Sequence, residues 1–159
     1  MIFITVGSQK FQFNRLLKKI DELVEKKIIT DSVFAQVGNS DYKPKNFEYI
    51  DFLEQEEFNK KINESDLIIT HAGTGVIINA VKNGKKVIAT PRLAKYEEHV
   101  DNHQIQLIKQ FEELNFIEPL YDLNELEKKL DVINNKQYNK YVSNTNEILA
   151  SIRAFIDKE

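Results

Sequence analysis

Short runs of apolar residues recur along this chain of 159 residues, and stretches with helical spacing separate them. The runs at residues 2–6, 33–37, 47–50, 66–70 and 87–90 predict strands, because strands buried on both faces of a parallel sheet are continuously apolar. A last short strand is predicted at residues 116–117. The pattern therefore indicates about six short strands, distributed along most of the chain.

Helices are predicted between these strands at residues 14–27, 58–62, 74–83 and 100–114, followed by two more at 123–132 and 138–156. Gly84 is expected to end the third helix as its C′ residue. Alternating strands and helices imply right-handed crossovers and a parallel sheet. We expect one α/β domain over residues 1–159, with C-terminal helices from about residue 122. The apolar residues of the last helix fit packing across the sheet or docking of a partner equally well.

The composition argues against several classes of function. Hydrophobic residues make up 42% and charged residues 30%, as in ordinary globular proteins, and a formal net charge of −3 argues against a nucleic-acid partner. The absence of cysteine excludes disulfides and thiolate metal sites. No stretch approaches the roughly 20 apolar residues of a membrane span, and the apolar N-terminus is too short for a signal peptide. We expect a cytoplasmic protein that reaches a membrane only through a partner.

The sequence THAGTG at residues 70–75 is the sharpest local signal, since it follows an apolar strand and opens a helix. Gly73 and Gly75 would let the backbone approach a ligand, and the N–H groups of the first helical turn would favour an anion such as a diphosphate. The alternative is a glycine-eased turn that binds nothing, and the local pattern favours neither interpretation.

Gly7 and Ser8 form a second corner after a strand. Ser8 is expected to cap the next helix or to contact a phosphate, and capping alone is the favoured role. The corner is not a P-loop, because no Gly-Lys-Ser/Thr sequence follows it.

Residues 97–104 (EEHVDNHQ) form a third polar cluster at the start of a predicted helix. Its donors and acceptors suit sugar hydroxyls, although taken alone it reads as an ordinary first helical turn. His99 and His103 would share a helix face, which permits a metal site. Without an HExxH motif or a thiolate, we expect no metal. The absence of a Gly-x-Ser-x-Gly sequence disfavours a Ser/His/Asp triad.

The order of these motifs resembles the C-terminal domain of family 28 glycosyltransferases over residues 1–117. The resemblance is closer to small single-domain members: the Alg13-type subunit of the eukaryotic chitobiose synthase and the PssE or Cps14G-type subunits of bacterial exopolysaccharide and capsule synthesis. It implies a Rossmann-like domain, the donor-binding half of a GT-B enzyme, that holds a UDP-sugar and uses no other cofactor. A separate, membrane-associated Alg14-like subunit would bind a polyprenyl-linked glycan acceptor.

The resemblance also implies roles for individual residues, all of them substrate-binding. Gly7, Ser8 and the turn at residues 73–75, which includes Thr74, would face the diphosphate. Ile50 would lie at the uracil base, and His103 and Gln104 would contact hydroxyls of the donor sugar. His71 is a candidate for binding or positioning, and a weak one for the general base, which is expected on the partner.

One position departs from the family pattern. Larger members place an acidic residue for the ribose on the helix after the glycine turn, where this chain has Asn79. An amide still forms hydrogen bonds but carries no charge. The expected function is inverting transfer from a UDP-sugar with a partner subunit. The alternatives are a non-catalytic UDP-sugar-binding or scaffolding subunit, which Asn79 favours, and an unrelated flavodoxin-like binding domain.

Overall fold

A computed structural model describes residues 1–7 and 10–141 of the chain. Its centre is a six-stranded, all-parallel sheet in the order β3-β2-β1-β4-β5-β6. The strands are β1 (Ile2–Thr5), β2 (Val33–Gln36), β3 (Glu48–Ile50), β4 (Leu67–His71), β5 (Lys86–Thr90) and β6 (Glu118–Pro119). This order builds outward in both directions from β1 and β4, so the two central strands form the topological switch point where such sheets bind ligands.

In the described part of the chain, five helices connect or follow the strands: α1 (Asn14–Glu25), α2 (Gln55–Glu64), α3 (Thr74–Lys82), α4 (His103–Glu113) and α5 (Leu126–Asn135). Single 3₁₀ turns lie at Ala94–Tyr96 and Leu123–Glu125. Within residues 1–7 and 10–141, no helix has the length and apolar character needed to cross a bilayer. Gly84 follows α3 with a φ of +71° and donates its N–H to Val81, as the C′ prediction requires.

Both faces of the sheet are covered, because successive residues of each strand point to opposite sides. Ile4 packs on the face that α1 and α5 cover, and its neighbour Phe3 packs on the opposite face with α3 and α4. Every residue of β1 and β4 is buried. The continuous apolar runs of the sequence thus correspond to strands enclosed on two sides.

Several predicted bounds were wrong, among them the start of α5, which lies at Leu126 instead of residue 123. Residues 116–117 are not a strand: Phe116 and Ile117 are buried core residues, and pairing with β5 begins only at Glu118. Helix α4 begins at His103, three residues later than predicted. Residues 136–141 are not helical, and residues 142–156 of the predicted last helix lie outside the described residues.

The late start of α4 has a local cause. Side chains before it bond to the loop backbone and so compete with helical hydrogen bonds. Asn102 accepts the N–H of Ala94 through Oδ1 at 2.9 Å, and Asp101 accepts the N–H of His103 at 2.9 Å. Glu97 adopts a left-handed conformation with a φ of +59°.

A buried carboxylate on α1 holds the loop after β2. Asp21 accepts hydrogen bonds from the Tyr42 hydroxyl, from the backbone N–H of Lys45 at 3.0 Å, and from the backbone N–H of Asn46 at 2.9 Å. Burial alone would raise the pKa of Asp21, but these hydrogen bonds outweigh it and lower the pKa below its ordinary value of 3.8. The ionised form therefore stabilises the loop that leads from the carboxyl end of β2 to the start of β3.

We expect Asp21→Asn to lower the free energy of unfolding at pH 7 by about 2–3 kcal/mol, because an amide cannot replace all these acceptor bonds. The wild-type advantage should be present above pH 3.8 and lost as the pH falls through the lowered folded-state pKa. Urea unfolding at pH 7 and near pH 3 measures both values. Glu22→Gln is the matched control, since the neighbouring Glu22 is exposed and should have little effect. Equal losses for the two variants would contradict this assignment.

Candidate functional site

Two glycine corners meet at one imidazole ring. A Cβ atom added to Gly7 would lie 2.6 Å from Nε2 of His71, and one added to Gly73 would lie 2.7 Å from the same atom. Both distances are too short for a real side chain. Gly7 also has a φ of +78°, which L-residues rarely adopt. The structure thus brings the two predicted corners together at the carboxyl edge of β1 and β4.

Helix α3 starts at this junction. Gly73 is its N-cap residue, and the first intrahelical bond runs from the N–H of Ile77 to the carbonyl of Gly73 at 3.0 Å. The N–H groups of Thr74, Gly75 and Val76 come before that bond and have no partner within the helix. Gly75 is exposed, and a Cβ there would meet no atom within 4 Å. The start of α3 therefore presents backbone donors and the positive end of a helix dipole to open space.

A cavity of about 330 Å³ lies on one side of this helix start, and we call it the asparagine cavity. It is lined by Gly7, Gln36, Phe52, Leu53, Gln55, Phe58, Gly75, Val76 and Asn79. Apolar side chains from the segment after β3 thus face the polar start of α3.

Asn79 lines this cavity and is held by two neighbouring amides. Its Nδ2 donates to Oδ1 of Asn59 at 2.9 Å, and its Oδ1 accepts from Nδ2 of Asn83 at 2.8 Å. A carbonyl oxygen has two lone pairs, so Oδ1 of Asn79 retains the capacity to accept a second hydrogen bond. The position where the resemblance implies an acidic residue is therefore polar and held in place here.

Sequence reasoning missed Gln36 and gave Phe52 no role. Gln36 is buried at the end of β2, donates to Oγ1 of Thr5 at 3.2 Å, and accepts the N–H of Leu53 at 2.7 Å. A polar residue at the carboxyl end of an apolar strand was the available signal. Ile50, expected at the uracil base, is 41% exposed at the end of β3 and does not line the cavity. Phe52, two residues later in the chain, contributes to the apolar wall of the cavity.

A second cavity, of about 380 Å³, lies on the other side of the glycine junction, and we call it the histidine cavity. It is lined by His71, Ala72, Gly73, Thr74, His99, Val100, Asp101, His103, Gln104 and Leu107. Three of the predicted site residues on β4 and α3 therefore share one cavity with His103 and Gln104 of α4.

His71 is held as a neutral hydrogen-bond donor. Oε1 of Gln104 accepts the backbone N–H of Arg92 at 2.9 Å and that of Ala72 at 3.4 Å, so its amide nitrogen must face Nδ1 of His71 at 3.4 Å. This assigns the ring proton to Nε2, the atom between Gly7 and Gly73. Burial, followed by the charge of Arg92, lowers the pKa of His71 to about 3. A ring with that pKa is a poor base at neutral pH.

The residues of the third polar cluster differ in burial and in their position relative to α4. Gln104 is buried, and both ends of its amide already bond within the protein. His103 opens α4 and is only partly buried in the cavity wall. His99 precedes the helix and pairs with Asp101 at 3.2 Å, so the predicted shared helix face of His99 and His103 was wrong.

Across residues 1–7 and 10–141, no group of three His, Asp or Glu side chains is placed to hold a metal ion. Ser8 lies outside the described residues. The N-cap position of α1 belongs to Phe13, which makes no side-chain cap hydrogen bond.

Buried charged side chains connect the loop after β1 and helix α1 with the loop after β5. Arg92, which follows β5, donates to the carbonyl oxygens of Val6, Phe11 and Gln12 in the loop after β1. Glu98 accepts two hydrogen bonds from Arg15 of α1, at 2.9 and 3.0 Å. Neither Arg92 nor Glu98 exposes any surface, and sequence reasoning did not single out this contact.

The match to protein-family models decides the family. The model of the glycosyltransferase family 28 C-terminal domain covers residues 1–158. The chain belongs to this family. The match extends well past residue 117, where the recognisable motifs end.

Curated relatives of this family 28 domain include subunits named UDP-N-acetylglucosamine transferase subunit ALG13. The protein from Candida albicans is 31% identical over 108 residues, which is 68% of this chain and 35% of that protein. The one from Kluyveromyces lactis is 32% identical over 94 residues, or 52% of this chain and 46% of that protein. The domain therefore spans less than half the length of each of these relatives.

Solved structures show the same fold at low sequence identity. An NMR structure of ALG13 covers 87% of both chains with a TM-score of 0.60 and 18% identity. MurG from Acinetobacter baumannii has a TM-score of 0.59 and 18% identity, and this family 28 domain covers 44% of it. The predicted α/β fold, a Rossmann-like domain with a parallel sheet, is confirmed.

The contact between Gly73 and His71 can be tested through its effect on stability. Gly73→Ala should lower the free energy of unfolding by about 1–3 kcal/mol, because the new methyl group overlaps the buried ring. Gly75→Ala is the matched control, since its Cβ meets no atom and alanine favours a helix. Urea unfolding of both variants measures the difference. Similar stabilities for Gly73→Ala and the wild type would contradict the packing of His71 against this turn.

Proposed function

We propose that this chain is the UDP-sugar-binding catalytic subunit of a two-component inverting glycosyltransferase. The observation that carries the proposal is the junction of Gly7 and Gly73 at His71, with the start of α3 opening between two cavities. A UDP-sugar has three parts of matching character: an aromatic nucleoside, an anionic diphosphate and a polyhydroxyl ring.

The nucleoside would occupy the asparagine cavity. Phe52 is 47% exposed at its rim and offers an apolar surface for a base. Asn79 would accept a hydrogen bond from a ribose hydroxyl through the remaining lone pair of its Oδ1. The diphosphate would then cross the start of α3, where Thr74 and Gly75 present backbone N–H groups.

The sugar would enter the histidine cavity. His103 lies in its wall, and Gln104 would act mainly by fixing the orientation of His71, because its amide is engaged within the protein. This placement keeps His103 as the sugar-hydroxyl contact that the family resemblance implies.

Negative charge accumulates on the diphosphate as the bond to the sugar breaks. The α3 N–H groups and the Nε2 proton of His71 would stabilise that charge with fixed donors. A general base must then accept the proton of the acceptor hydroxyl. His71, with a pKa of about 3, does not suit that task, so we place the base on a partner.

The partner we propose is a membrane-associated, Alg14-like subunit that binds a polyprenyl-linked acceptor in exopolysaccharide or capsule synthesis. Support comes from the names of the curated relatives, each of which is described as a transferase subunit. The partner would recruit this chain from the cytoplasm to the inner face of the membrane. The second candidate, a non-catalytic UDP-sugar-binding or scaffolding subunit, is favoured by the neutral Asn79.

Ribose recognition tests donor binding. Wild-type protein should bind UDP more tightly than 2′-deoxy-UDP, and Asn79→Ala should reduce that ratio to about one, because the hydroxyl loses its acceptor. Calorimetry or NMR titration gives the four affinities. Asn83→Ala is the control, since Asn83 bonds Asn79 but lies outside the lining of the cavity. Failure of the wild-type protein to bind UDP would overturn the proposed donor.

Transfer from labelled UDP-sugars tests the catalytic role. Product should appear only when the chain and its membrane partner are combined. Thr74→Ala should lower turnover while the complex stays intact in pull-down, because it removes a side-chain hydroxyl from the lining of the histidine cavity beside the diphosphate position, although the backbone N–H remains. A scaffolding subunit predicts unchanged turnover for Thr74→Ala, and full turnover by this chain alone would exclude the two-component assignment.

A further inference from the structure

A buried guanidinium lies directly behind the glycine junction. Arg92 exposes no surface, and the hydrogen bonds donated by its Nη1 and Nη2 end on backbone carbonyl oxygens. Nη1 donates to Phe11 at 3.0 Å, to Gln12 at 3.1 Å and to Glu98 at 3.3 Å, and Nη2 donates to Val6. Carbonyl dipoles solvate a cation but leave its charge in place.

The nearby carboxylate is engaged elsewhere. Glu98 uses its two oxygens for Arg15, at 2.9 and 3.0 Å, and for the backbone N–H of Leu93 at 3.0 Å. Its contact with Arg92 is through its backbone carbonyl. The cluster of Arg15, Arg92 and Glu98 thus holds two positive charges and one negative charge, in a chain whose formal net charge is −3.

The net positive charge of this cluster acts on the position that we propose for the diphosphate. The carbonyl of Val6 that Arg92 binds belongs to the peptide bond that leads into Gly7. Arg92 also contributes to the lowered pKa of His71, whose Nε2 lies against both glycine corners. Asp101 is the acidic residue in the lining of the histidine cavity, and it is half exposed and paired with His99.

We propose that Arg92 is a positioning and charge-selective residue for the donor: it holds the Gly7 corner against α3 and supplies a buried positive charge that favours a diphosphate. The inference rests on the proposed binding of a UDP-sugar. Arg92 does not touch the ligand. It acts through the Val6–Gly7 peptide and through an electrostatic field that a low-dielectric interior screens only weakly.

The charge can be tested by comparing UDP with uridine, which has the same nucleoside but no phosphate. We expect Arg92→Gln to weaken UDP binding by about 10- to 100-fold while uridine binding changes less than about twofold. Arg92→Lys keeps the charge and should lose less UDP affinity than Arg92→Gln. NMR titration of the full chain measures both ligands, and amide spectra report whether each variant is folded.

Glu98→Gln provides the opposite change. It removes the negative charge of the cluster while keeping nearly the same shape, so UDP binding should tighten about three- to tenfold with uridine unchanged. This variant decides the question if Arg92→Gln does not fold. Equal losses of UDP and uridine in Arg92→Gln, or unchanged or weaker UDP binding in Glu98→Gln, would show a purely structural role and overturn the inference. Absence of UDP binding in the wild-type protein would instead remove the proposed function.

Discussion

The packing of one imidazole ring between two backbone segments is the constraint on which the site depends. His71 occupies the space that side chains at positions 7 and 73 would need, so both corners can approach only as glycines. Adjacent parallel strands β1 and β4 bring the corners to one edge. Gln104 then fixes the ring from the far side, and Arg92 holds the first corner from behind. The open start of α3 is what this packing leaves accessible.

Much of the fold was predictable because burial on two faces requires continuously apolar strands, and all of the first five strands were identified near their observed bounds. The meeting of Gly7 and Gly73 followed from the rule that carboxyl ends of parallel strands share an edge. The last strand was misplaced because Phe116 and Ile117 are apolar for a different reason: they fill the core beside α4, whereas the pairing strand contains buried Glu118. Apolar character alone does not distinguish residues that fill the core from residues that pair in a strand.

The parts of the site that the sequence did not reveal are contacts between residues far apart in the chain. Arg92 bonds a carbonyl 86 residues earlier, and Gln36 links β1 to the segment after β3. The local pattern of apolar and polar residues carries no information about contacts between residues so far apart in the chain. The loop before α4 was misread for a related reason, since its acidic and amide side chains bond to the backbone instead of extending the helix. The sequence correctly indicated a polar loop, but it did not show that these side chains form hydrogen bonds with the backbone.

The adjacency of β1 and β4 has a consequence for biosynthesis. The hydroxyl of Thr70 donates to the carbonyl of Thr5 across 65 residues of chain, and β1 lies between β2 and β4 in the finished sheet. A nascent chain that has not yet released β4 from the ribosome has its first glycine corner but no imidazole against which to order it. Closing so long a segment is slow compared with helix formation. The two cavities therefore form together with the central sheet, because an N-terminal fragment that stops before β4 lacks both His71 and α3.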